Sequence, residues 1–105
     1  MPQFDVYKNN NKNTKTDFPY LVDIQHQIIS DLATRLVIPM GKFDTFSDKN
    51  IKRLTPFIAF DDQQYLLLTP QLTSIPAHLL KDSVGTIEMQ RDLVINALDF
   101  AITGI

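Results

Sequence analysis

Two histidines, one pair of adjacent aspartates and a scatter of other carboxylates are the groups in this 105-residue chain that could do acid–base chemistry. His26 and His78 stand far apart and lack the short spacing with which imidazoles share a metal ion. Each reads as a surface or hydrogen-bonded histidine rather than a catalyst. Asp61-Asp62 lies between two apolar runs, where neighbouring side chains point apart and aspartate is an ordinary turn former. There is no cysteine, which removes thiolate nucleophiles, thiolate metal sites and disulfides, and is in keeping with a reducing compartment. The sequence carries no nucleophile elbow, phosphate-cradling glycine loop or metal-binding helix motif. Catalytic groups converge only in the folded chain, so an enzyme is not excluded on these grounds. Nothing positive points to one, and no metal or cofactor is expected.

Composition narrows the remaining classes. A formal net charge of −2 gives no electrostatic case for direct contact with nucleic acid. Hydrophobic residues make up 44% of the chain, enough for one core, and residues 1–105 are expected to form a single domain. No stretch approaches the ~20 apolar residues of a membrane span, and the N-terminus lacks the apolar core of a signal peptide. The expectation is a soluble, cytoplasmic protein that acts by binding.

A surface that binds is best sought at the end of the chain. Residues 87–105, IEMQRDLVINALDFAITGI, form the one long run with a helical period. At ~100° per residue, Met89, Leu93, Val94, Ala97, Leu98, Phe100 and Ala101 fill one apolar arc. Glu88, Asp92, Asn96, Asp99 and Thr103 fill the opposite side, and Gln90 falls within the apolar arc near the first turn, where exposure is easy. Thr86 is a candidate N-cap, and Gly104 suits the residue at which the backbone leaves the helix. Ile95 lies inside the polar sector and Ile102 on its edge. Solitary exposed isoleucines are ordinary on protein surfaces. Alternatively, this outward face docks onto another protein.

The elements that must position this helix read as short strands. Gln3 to Tyr7 alternates polar and apolar; Lys8 to Asp17, KNNNKNTKTD, is a solvated, mobile loop; Phe18 to Gln25 resumes the strand pattern. Ile28 and Ile29 follow as adjacent apolar residues in an inter-strand segment, for which plugging into the core is the usual explanation. Thr34 to Pro39 is a central strand whose end Pro39 sets, and Met40 to Lys52 is an irregular excursion. Thr55 to Asp61 and Gln64 to Thr69 flank a tight turn at Asp61-Asp62-Gln63, and Leu72 to Pro76 is a further extended run. Several strands at short spacing with one terminal helix give a mainly β fold: an antiparallel barrel, of SH3-like kind, or rolled sheet, with the helix packed against it.

The punctuation of the chain resembles that of the CcdB family of plasmid-addiction toxins. Gln3-Phe4-Asp5-Val6-Tyr7 is similar to the family's opening strand, and Leu21-Val22-Asp23-Ile24-Gln25 followed by Ile28-Ile29 to its second strand and the turn beyond. Arg35-Leu36-Val37-Ile38-Pro39 resembles its Arg-x-Val-Ile-Pro segment, Leu72-Thr73-Ser74-Ile75-Pro76 its x-Ser-Val-Pro segment, and Asn96-Ala97 with Gly104-Ile105 its helix and terminus. The resemblance implies a homodimer of barrel-like subunits that is not an enzyme. It implies a poison that binds the A subunit of DNA gyrase and traps the enzyme on cleaved DNA, inhibiting replication and transcription. It also implies a cognate CcdA-like antitoxin that neutralises the toxin and, in complex with it, represses their shared operon; contact with nucleic acid would be only indirect, through that complex. Matching residue types carry the family's gyrase-contacting positions to Ile28, Ile29, Asn96, Gly104 and Ile105. Alignment with different side chains adds Ser30, Arg91, Asp92, Ile95, Asp99 and Thr103. Thr103 stands where the family's best-known poison has a tryptophan that stacks on a gyrase arginine, and threonine cannot stack.

Two other functions compete. A related barrel serves toxins that cleave messenger RNA, which requires an acid, a base and a basic groove. A barrel that has lost its toxicity and kept only an interaction role is the third reading.

Overall fold

The computed structural model describes residues 2–26, 33–42 and 53–104. Ile28, Ile29, Ser30 and Ile105 lie outside these residues, as does the excursion from 43 to 52. Among the described residues, seven antiparallel strands form one curled sheet: β1 (Asp5–Lys8), β2 (Tyr20–Asp23), β3 (Thr34–Lys42), β4 (Phe57–Phe60), β5 (Gln63–Leu67), β6 (Thr73–Pro76) and β7 (Gly85–Thr86). A 3-10 turn at Glu88–Gln90 leads into helix α1 (Arg91–Thr103). The mainly β architecture with one C-terminal helix is the one expected.

The strand order is β4-β5-β3-β2-β1-β7, with β6 also paired to β3. β3 is the spine: its full length is used, against β2 on one edge and against β6 and then β5 on the other. The strand does not stop at Pro39 but runs on to Lys42. The reason is where the proline falls. Its carbonyl accepts the Leu68 N–H at 2.9 Å, so its nitrogen faces the same edge, in the gap between β6 pairing (ending at Val37) and β5 pairing (starting at Met40). No ladder donor is lost there.

β4 and β7 lie at opposite ends of the strand order, yet a Cβ built on Gly85 of β7 would sit 2.7 Å from the Phe60 ring of β4. The sheet therefore curls until its two ends nearly meet, and glycine is what allows that approach. The hairpin between β4 and β5 turns on two residues, Asp61 and Asp62, with φ of 51° and 61°. Aspartate tolerates this left-handed backbone better than most residues, which is why the pair marks the turn.

Alternation along the strands gives the sheet two apolar faces. Val6, Val22, Ile38, Met40, Ile58, Tyr65 and Leu67 share one face with Phe4, Ile24, Ile87 and Val94 of α1; Tyr20, Phe60 and Leu98 complete that core. Tyr20 meets Phe60 and Tyr65 edge-on, with ring centroids 5.1 and 5.4 Å apart. The other face carries Tyr7, Leu21, Val37, Ile75 and Leu80. It also carries a fully buried ion pair, Arg35 to Asp23 at 2.8 Å. Gln25 knits this pair into the sheet: its N–H donates to Asp23 Oδ1, its carbonyl accepts from Arg35, and its Oε1 accepts the Leu36 N–H. Burial pushes the Asp23 carboxyl above its ordinary value, against the opposing pull of the Gln25 N–H and the Arg35 guanidinium.

Candidate protein-docking face

α1 begins without a side-chain N-cap, and its first residues are prepared instead by the preceding 3-10 turn. Thr86 does not cap the helix; its hydroxyl oxygen accepts the Glu88 N–H at 3.1 Å and so caps that turn. The helix ends where Gly104 enters the left-handed region, φ 73°, and donates its N–H to the Phe100 carbonyl at 2.9 Å.

The stripe that α1 buries is narrower than the apolar arc read from sequence. Val94 and Ala97 are fully buried and Leu98 and Phe100 partly so, whereas Met89 is 99% exposed and Leu93 and Ala101 are also exposed. Met89 belongs to the 3-10 turn, ahead of the helix, so helical phase does not carry it to the core. Gln90, expected to be exposed, is half-buried: its side-chain amide accepts the Ala59 N–H at 2.9 Å and donates to the Ala59 carbonyl at 2.8 Å.

Opposite the buried stripe, Arg91, Asp92, Ile95, Asn96, Asp99, Thr103 and Gly104 are all exposed. At ~100° per residue the six helical members of this set cover about 140° of continuous helix surface, joined by Ile102 within the arc. Ile95 is 37% and Ile102 75% exposed, so both isoleucines outside the apolar arc do face outward. Glu88, Asp92 and Asp99 make no ion pair among the described residues, and Arg91 is the one cation within the arc. The Thr103 hydroxyl is turned inward, donating to the Asp99 carbonyl at 2.6 Å. On the flank, the Arg53 guanidinium carbon lies 5.1 Å from the Phe100 ring centroid. The face is thus acidic along its middle with branched aliphatic groups beside it.

A concavity of about 600 Å³ opens on the other face of the sheet. Leu21, Val37, Pro39 and Ile75 floor it, and Lys8 and the asparagine-rich loop form a rim. That loop is not the loose tether its composition suggests. Asn9 donates from Nδ2 to Thr14 Oγ1 and the Phe18 carbonyl, while Asn9 and Asn11 each accept a backbone N–H two residues on. Sequence reading missed this groove, since its walls come from strands distant in the chain. The asparagines at Asn9 and Asn11, spaced for successive side-chain turns, were the available signal. Among the described residues no cluster of three or more His, Asp or Glu could hold a metal ion, and no helix is long and apolar enough to cross a membrane. Compared with known protein families, residues 3–104 match the model described as CcdB protein.

Proposed function

The chain belongs to the CcdB family, whose members are toxins of toxin–antitoxin pairs, and we propose that it binds the A subunit of DNA gyrase through the outward face of α1. In this reading it is a binding protein and not an enzyme. Its effect is to hold gyrase on cleaved DNA, which halts replication and transcription in the cytoplasm. The observation that carries the proposal is the exposure of Ile95 and Ile102 beside Arg91, Asp92, Asn96, Asp99, Thr103 and Gly104, on the side of the helix opposite Val94 and Ala97. Ile28, Ile29, Ser30 and Ile105 complete the proposed surface by family resemblance. An acidic stripe beside aliphatic groups suits a partner surface bearing basic residues. Thr103, with its hydroxyl bonded back to the helix, supplies no aromatic anchor, so the aliphatic groups must supply the apolar contact.

The family also implies a homodimer and an antitoxin. The groove beneath the asparagine-rich loop, rimmed by Lys8 with Lys12 and Lys15 in the same loop, suits an extended acidic segment of that antitoxin. Calorimetric titration of purified gyrase A subunit with the protein tests the central proposal: saturable binding is expected, abolished or strongly weakened by Ile95→Glu. Binding undiminished by that substitution would contradict the assignment of the face.

A further inference from the structure

We infer that Gln90 is the positioning residue of the docking helix, completing the free edge of β4 and fixing the angle at which α1 presents its outward face. The inference rests on the reading of that face as the gyrase-binding surface. β4 ends the strand order, so among the described residues one of its edges has no strand beside it. In a two-residue hairpin the residues flanking the turn, Phe60 and Gln63, bond to one another; the backbone groups of Phe60 and Ile58 therefore point to β5, and those of Ala59 point away. An outward N–H and C=O at a strand edge are a template for another strand. Here both are met by one carboxamide, with Ala59 N–H donating to Oε1 at 2.9 Å and Nε2 donating to Ala59 O at 2.8 Å. A primary amide offers the same donor–acceptor pair as a neighbouring peptide group, which a carboxylate or an ammonium does not.

The position of this clamp in the chain gives it its effect. Gln90 directly precedes Arg91, the first residue of α1, and its own N–H donates to the Ile87 carbonyl at 2.8 Å. The helix origin is therefore held by its backbone to the 3-10 turn and by its side chain to the sheet edge. Further along, Val94, Ala97 and the half-buried Leu98 hold one face of the helix to the core, so Gln90 is the polar tie at its origin. Thirteen residues make a rod of about 20 Å, so a tilt of ~10° at its start would move the far end by ~3 Å. Contacts spread from Arg91 to Gly104 would lose their register with a rigid partner at such a displacement.

Two substitutions test this in the full-length protein. Gln90→Ala removes both bonds. Gln90→Glu can accept from the Ala59 N–H but, as a carboxylate, cannot donate to the Ala59 carbonyl; protonation restores the donor. The readouts are the hydrogen-exchange protection factor of the Ala59 amide, the affinity for purified gyrase A subunit, and helical circular dichroism. In Gln90→Ala, Ala59 protection is expected to fall ~10-fold or more and gyrase affinity to fall ~10-fold, with the helical signal retained. Gln90→Glu should resemble Gln90→Ala at neutral pH and regain Ala59 protection toward about pH 4, near the ordinary glutamate range. Unchanged Ala59 protection in Gln90→Ala would overturn the clamp. Lost protection with unchanged affinity would overturn the positioning role. Wild-type protein that protects Ala59 yet fails to bind gyrase would overturn the functional reading, and the positioning role with it.

Discussion

Val94 and Ile95 are neighbours in sequence and opposites in environment, fully buried and 37% exposed respectively, so substituting each separates folding from docking. Val94→Ala removes two methyl groups from the core between α1 and the sheet. At about 0.8 kcal/mol per buried carbon, plus the cost of the cavity left behind, the loss comes to roughly 2–3 kcal/mol. For a chain of this length, that lowers the melting temperature by about 10 °C or more. Ile95→Glu should behave differently. The new carboxylate lies four residues after Arg91, three after Asp92 and four before Asp99, so one helical attraction against two repulsions of about 0.2–0.5 kcal/mol each leaves a small net cost. A change within about 0.5 kcal/mol is expected in the free protein. In an interface the same carboxylate would be desolvated without a partner, and a hot-spot cost of about 2 kcal/mol or more corresponds to ~30-fold weaker gyrase binding. Thermal melts and calorimetric titration of both variants provide the comparison. Ile95→Glu melting as low as Val94→Ala would refute the reasoning, because Ile95 would then be core; equal gyrase affinity for Ile95→Glu and wild type would refute its place in the interface.

Three further outcomes follow from the geometry. Gly85→Ala places a Cβ 2.7 Å from the Phe60 ring and should cost about 1–3 kcal/mol in denaturant unfolding; no loss would mean that the ends of the curled sheet approach less closely than described. Because the folded Asp23 pKa is raised, its stabilising contribution is present below the ordinary value of 3.8 and is lost as pH rises through the raised value. The melting temperature of Asp23→Asn should therefore gain on that of wild type between pH ~4 and neutrality, and a shift in wild type's favour would mean that Arg35 outweighs desolvation. Deleting Thr103, Gly104 and Ile105 should leave the circular dichroism of the sheet in place while abolishing growth inhibition, since the bonds from Thr103 to the Asp99 carbonyl and from Gly104 to the Phe100 carbonyl close the end of the helix. A folded truncation that still arrests growth would exclude the tail from the toxic surface.

The local parts of the fold were legible in the sequence where one short-range pattern decides them. Period-two alternation marks β1 and β2, and Asp61-Asp62 marks the β4–β5 turn because aspartate accepts a left-handed backbone. Pro39 misled for an equally physical reason: a missing donor ends a strand only if another strand needs it, and here it faces a gap between two partners. Met89 misled because a helical period was extended into a 3-10 turn, where the angular step differs. The outward placing of Ile95 and Ile102 was legible because it depends on helical phase alone. The groove and the Gln90 clamp were not, since both depend on strands brought together across long stretches of chain. Asparagines that look merely soluble instead bond the loop to itself.

The most direct test of the account is a DNA-cleavage assay with supercoiled plasmid, purified gyrase and this protein, run beside an RNA substrate without gyrase. The account predicts linearised plasmid that accumulates only when gyrase and the protein are both present, that is reduced by Ile95→Glu, and intact RNA. Plasmid left uncleaved at saturating protein, or RNA cut in the absence of gyrase, would contradict it.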